Sequence, residues 1–210
     1  MKGNRSDRID ASGVSLERRA VLAGLPATAL MAWTGAVMAA SAAETVADAT
    51  TWLRRGGVVL LMRHALAPGT FDPPEFRLGD CSTQRNLSAE GREQSRAIGR
   101  WFESRGLRPA AVRSSPWCRC VDTATLAFGG VQVEPALGSP RGGTPEENRL
   151  ALDGLRQRIA QMPPEPGRFE VWVTHMFLIS DLLGTGTSSG EGWVVRAEAG
   201  ALKPLASWPG

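Results

Sequence analysis

Residues 57–65 read Gly-Val-Val-Leu-Leu-Met-Arg-His-Ala. Five apolar side chains follow the pair Gly56-Gly57 and run directly into Arg63-His64. An apolar run this short, rich in branched residues and opened by glycine, reads as a strand buried on both faces. The charged pair at its end suits the place where α/β sheets collect ligands, just beyond the carboxyl ends of their strands.

A second stretch repeats this pattern. Phe169 to Thr174 reads Phe-Glu-Val-Trp-Val-Thr and ends in His175. The chain has only two histidines, and both directly follow apolar strands. One such histidine would read as a hydrogen-bonded core residue; both together read as a site. A third element, Ser114-Ser-Pro-Trp-Cys-Arg119, places Arg119 in the first turn of a helix after a strand. First-turn N–H groups and the helix dipole favour an anion there. An arginine fork adds donors that match a phosphate, although a lone arginine usually lies solvated on a helix surface.

The remaining elements follow from pattern. Residues 65–87, with Pro68, Gly69, Pro73, Pro74, Gly79 and Asp80, read as a long loop, and loops of that length are usually functional or disordered. Ser88 caps a helix to about Arg105, with Ile98, Trp101 and Phe102 on one face. Ala110–Arg113 reads as a strand, Pro116–Phe128 as a helix and Gln132–Pro135 as weakly strand-like. Thr144-Pro-Glu-Glu147 is a capping box with proline at the first helical position. Its helix carries Leu152, Leu155, Ile159 and Met162 and stops before Pro163-Pro164. Phe177–Leu183 reads as a short helix and Trp193–Arg196 as a late strand. Strands alternating with helices imply an α/β fold, a three-layer αβα sandwich with a largely parallel central sheet.

The chain has 210 residues, is 42% hydrophobic and carries a formal net charge of +3. Five of its 24 Lys and Arg fall within the first 42 residues, against three acids. The rest is near neutral, which argues against nucleic acid as a partner. Two histidines exclude a multi-histidine metal centre, and no metal or cofactor is expected. Residues 15–43 carry Arg18-Arg19, an apolar run with Leu22, Leu25, Leu30, Trp33 and Val37, and Ala40-Ser41-Ala42, a small-x-small cleavage pattern. The arginine pair resembles a twin-arginine export signal. The expected organisation is therefore a leader over 1–43 and one folded domain over 44–210. The implied location is periplasmic or otherwise exported, with the twin-arginine export machinery as partner. Val21–Ala43 approaches spanning length, but Gly24, Pro26, Thr28, Thr34, Gly35 and the alanine-rich end favour cleavage over an anchor. No membrane association is expected after cleavage.

Taken together, Leu61-Met-Arg-His-Ala65, Arg85-Asn-Leu-Ser-Ala-Glu-Gly91 with Gln94, Ser114-Ser-Pro-Trp-Cys-Arg119 with Thr123-Ala124, and Val173-Thr-His175 resemble, in order and spacing, the histidine phosphatase superfamily, the phosphoglycerate-mutase-like group. The resemblance spans residues 57–196. It implies that His64 is the nucleophile and forms a transient phosphohistidine. Arg63, Arg119 and His175 would hold the phosphoryl oxygens, and Arg85 would lie near the pocket mouth. The physical case agrees. A neutral imidazole is a good nucleophile near pH 7, provided its other nitrogen keeps the proton, for instance by donating to a backbone carbonyl. Guanidiniums supply the charge stabilisation that phosphoryl transfer needs, and a protonated His175 would add a third cation.

There are departures. Many relatives supply a leaving-group acid from a Leu-x-Glu stretch, where this chain has Leu137-Gly138-Ser139. Glu134, Glu146 and Glu147 lie nearby in sequence, the last two also explained by capping, so the acid is left unassigned. Its absence resembles the small phosphohistidine-phosphatase branch. The usual glycine after the first histidine is Ala65, and the small residues after the second are Met176-Phe177, whose bulk would narrow the pocket or wall a leaving group; core packing of Phe177 is the favoured expectation. With three cysteines, at least one thiol is unpaired. Cys118 and Cys120 face different sides of a helix, and a bridge is expected from Cys81 to one or the other.

The expected activity is a metal-independent phosphatase acting on a small phosphorylated substrate. The alternatives are a mutase-like phosphoryl transfer, disfavoured by a chain too short for pocket-closing insertions, and a non-catalytic anion-binding protein.

Overall fold

The computed structural model describes residues 49–140 and 144–210. The expected leader lies outside the described residues. A six-stranded sheet is ordered β3-β2-β4-β1-β5-β6, with β1 Val58–Arg63, β2 Ala111–Ser114, β3 Gln132–Val133, β4 Phe169–Thr174, β5 Gly192–Glu198 and β6 Ala201–Trp208. Helical residues 49–55 (α1) precede it. The other helices are α2 Ala89–Ser104, α3 Cys118–Phe128, α4 Pro145–Ala160 and α5 Met176–Leu183. The fold is the expected α/β class. Strands β3, β2, β4 and β1 run parallel, while β5 and β6 form an antiparallel extension.

Strand β1 shows why this sequence makes layers. Val58 to Met62 are completely buried. Side chains alternate across a strand. Val58, Leu60 and Met62 pack with Leu53 of α1, Ile98 and Phe102 of α2, and Ala124 of α3. Val59 and Leu61 pack on the other face with Leu155 and Ile159 of α4 and Leu178 and Ile179 of α5. Truncating Leu60 or Leu61 to Ala would cost about 2–5 kcal/mol.

Two expected helix starts are present in detail. Ser88 accepts the Gly91 amide, and Thr144 with Glu147 forms both halves of the capping box. Helix α3 begins at Cys118, two residues later than the sequence suggests, with Trp117 at its cap. The β5–β6 hairpin turns through Ala199-Gly200 at φ of 50° and 83°, the two positive values of a type I′ turn. No described helix is long and apolar enough to cross a membrane.

Candidate active site

The β1–β4 register pairs Arg63 with Thr174. His64 and His175 are the next residues on two adjacent parallel strands, so both stand at the same level beyond the sheet. The His64 amide donates to the Thr174 carbonyl at 3.0 Å, and the Ser115 amide to the Val173 carbonyl at 2.9 Å. Three strand ends, β1, β4 and β2, therefore meet at one point. The imidazole centroids lie 5.7 Å apart, edge to face. Arg119, in the first turn of α3, spans them: Nε donates to His64 Nε2 at 3.3 Å, and Nη2 faces His175 Nδ1 at 3.4 Å.

The two rings are held differently. His64 Nδ1 donates to the Ala65 carbonyl at 2.8 Å, so Nδ1 carries the proton and Nε2 presents its lone pair. His175 Nε2 sits 2.8 Å from Ser115 Oγ and 3.6 Å from Cys120 Sγ. Because Arg119 donates to its Nδ1, the proton sits on Nε2. Burial, and then the neighbouring Arg119, Arg85 and Arg63, lower the His64 pKa to about 3. Burial also lowers the His175 pKa well below the usual range, with Arg119 next in weight. His175 is thus held as a neutral imidazole, so the third cation that its protonation would add is absent.

Three guanidiniums, Arg63, Arg85 and Arg119, line a cavity of about 410 Å³ that holds both histidines. Arg63 Nη1 donates to the Thr187 carbonyl at 3.0 Å, and Arg85 Nη1 donates to the Ala67 carbonyl. The Nε atoms of Arg63 and Arg85 are buried without a hydrogen-bond partner, the condition of donors that lack an acceptor. Burial, followed by Arg119, lowers the Arg85 pKa to about 10 and also lowers that of Arg63. All five predicted site residues line this one cavity, Arg85 among them.

Asp72 was not foreseen. Its Oδ1 accepts Arg119 Nη1 at 2.8 Å and the Arg85 amide at 3.0 Å, and its Oδ2 accepts Trp117 Nε1 at 3.2 Å. Partial burial opposes its ionisation, but the Arg85 amide, Arg119 and Trp117 outweigh it and hold the carboxyl below its usual range. No local signal marks Asp72. It reaches Arg119 only because the loop over 65–87 folds back, fastened by a disulfide between Cys81 and Cys118. This is one of the two expected pairings. Cys120 remains a buried thiol, its pKa pushed up to about 12 by burial.

The remaining motif residues set distances. A Cβ on Gly91 would lie 2.0 Å from the Leu66 carbonyl oxygen, so only glycine lets α2 approach the segment after His64. Gln94 accepts the Leu66 amide and donates to the Ser189 carbonyl. Thr123 accepts the Ala65 amide and donates to the Arg119 carbonyl, tying the neighbour of His64 to the helix that carries the arginine. Phe177, expected in the core, is half-buried and lines the cavity with Met176. Ser139 lines it too, where relatives would supply an acid. Glu134 instead pairs with Arg158, Glu146 with Arg149, and Glu147 closes the α4 cap. Among the described residues, no group of three or more His, Cys, Asp or Glu is placed to hold a metal ion.

The sequence model of the histidine phosphatase superfamily (branch 1) matches residues 59–139. No curated protein matches the chain. Among solved structures, a mycobacterial glucosyl-3-phosphoglycerate phosphatase complexed with VO3 is 17% identical, with 72% of this chain and 98% of that one covered and a TM-score of 0.54. A phosphoserine phosphatase from Entamoeba histolytica, complexed with 3-phosphoglyceric acid, is 13% identical over 72% and 96%, with a TM-score of 0.50. The protein histidine phosphatase SixA complexed with tungstate is 18% identical over 72% and 96%, with a TM-score of 0.48. The likeness to the first two is one of fold.

Proposed function

We propose that this protein is an exported phosphatase that hydrolyses phosphate monoesters through a phosphohistidine on His64. One observation carries the reading: His64 spends Nδ1 on a backbone carbonyl and turns a neutral Nε2 toward a cavity walled by three guanidiniums. The superfamily match supports it.

In the first step the Nε2 lone pair attacks phosphorus. The P–Nε2 bond forms as the P–O bond to the alcohol breaks, and the leaving oxygen departs as an alkoxide that takes its proton from solvent water. Arg63, Arg85 and Arg119 stabilise the charge spread over the equatorial oxygens, so the step requires no metal. His175 donates its Nε2 proton to Ser115 and turns Nδ1 toward Arg119, which keeps that guanidinium aimed at the phosphoryl group. Water then attacks phosphorus, the P–Nε2 bond breaks, and phosphate departs with His64 restored. Asp72, the only carboxylate among the described cavity-lining residues, is held ionised, so no ready acid protonates the leaving oxygen. Rates should therefore rise steeply with the acidity of the leaving alcohol.

The arginine pair near the N-terminus and the Cys81–Cys118 bridge support an oxidising, exported location. The decisive experiment is turnover of phenyl phosphate in the presence of a chelator, with His64→Ala as control and acid-quenched protein probed for an acid-labile phosphoryl group. Undiminished turnover by His64→Ala would end the reading.

A further inference from the structure

The catalytic floor accounts for only half of the cavity. Above it stand Phe71, Phe76, Trp117, Met176 and Phe177. Phe76 stacks on Trp117 at 5.4 Å and 17°, and Trp117 meets His175 edge-on at 5.1 Å. This apolar collar is thus continuous with the phosphoryl site. Phe71 is 65% exposed at its rim, a large aromatic surface left in water beside a polar floor, which marks a binding surface.

The collar is also rigid. Trp117 is tied to Asp72, the Cys118 amide donates to Gln84, and the Cys81–Cys118 bridge joins the loop to α3. A preorganised surface loses little entropy when a ligand docks on it.

Charge narrows the ligand further. The described lining holds three cations and one carboxylate, a balance that matches one phosphate dianion and leaves nothing for a second anionic group. Apart from these residues and the histidines, the described polar lining side chains are Thr70 and Ser139. A sugar would bring several hydroxyls here and find few partners, and unpaired buried hydroxyls are costly.

We infer that the substrate carries a single phosphate on an apolar, aromatic-sized group, which lies against Phe71, Phe76, Trp117, Met176 and Phe177. As a statement about turnover it rests on the phosphatase reading; as a statement about binding it does not. Benzyl phosphate and glycerol 1-phosphate both release alkyl alcohols, so leaving-group acidity does not decide between them. The expected kcat/KM favours the benzyl ester by about tenfold or more, and Phe71→Ala narrows that ratio. Phosphoserine, with its extra carboxylate, falls at the lower end. In parallel, calorimetry on the full chain should show benzylphosphonate binding more tightly than 2-hydroxyethylphosphonate, a comparison that needs no catalysis.

Equal or reversed preference in both assays, or a preference for phosphoserine, overturns the inference while leaving a working phosphatase. Tighter benzylphosphonate binding with no ester hydrolysed supports the inference and removes the phosphatase.

Discussion

His64 and His175 occupy equivalent steps on neighbouring parallel strands, are almost fully buried, and share one arginine. They differ in what holds the nitrogen that faces away from the cavity. For His64 that partner is a carbonyl, which fixes the proton on Nδ1 and leaves Nε2 unprotonated, an acceptor for Arg119 Nε. For His175 it is the Ser115 hydroxyl, backed by the Cys120 thiol, and the ring's other nitrogen is turned to Arg119. Position along a strand therefore places an imidazole, but its outward hydrogen bond decides which ring nitrogen keeps the proton.

The sharpest way to break this distinction is to remove each ring. His64→Ala should lower kcat by at least about 10,000-fold, since no second group can accept the phosphoryl; a trapped phosphohistidine mapping to His175 instead would invert the assignment. His175→Ala should cost about 100-fold, mostly in kcat, because Arg119 loses its partner while the nucleophile survives. Ser115→Ala should cost only a few-fold in kcat, because it loosens the His175 ring without removing it, and Ser115→Thr should restore part of the rate. A Ser115→Ala loss as deep as that of His175→Ala would make the hydroxyl part of the chemistry.

The smallest effect concerns stability. Both rings are held neutral when folded, while in the unfolded chain they bind protons below about pH 6.5. The unfolded chain then binds more protons, so stability is complete above pH 6.5 and falls on acidification, for His64 down to about pH 3. Each ring contributes at most about 1.4 kcal/mol per pH unit. Urea melts at pH 7 and pH 5 should show a smaller drop for His64→Gln and for His175→Gln than for the parent. Identical drops in all three chains would mean that the rings are protonated in the fold.

Much of this was legible in the sequence because it depends on short-range rules. The apolar runs before His64 and His175 announced their strands, and Ser88 and Thr144 announced their helices. What stayed hidden depends on closure over distance. Asp72 meets Arg119 across 47 positions through a loop whose path its own residues do not dictate. Strand β6 contains Pro204, which has no backbone donor, yet an edge position tolerates that lack, and the register shifts at Val194/Val195, opposite that proline. Residues 49–55 follow soon after the alanine-rich segment, and so short a stretch gives a helical period little to repeat. Phe177 was misjudged because an apolar residue in the first turn of an apolar helix looks like core until the cavity beside it is seen.

The side-by-side pairing of β1 with β4 has a consequence for how this chain tolerates change. Adding or deleting one residue within either strand would leave composition and hydrophobicity nearly intact, yet rotate everything beyond it to the opposite face of the sheet. One imidazole would then point among the α4 and α5 side chains while the other kept its place. Substitutions can erode this site by degrees, but a change of length by one abolishes it at a stroke.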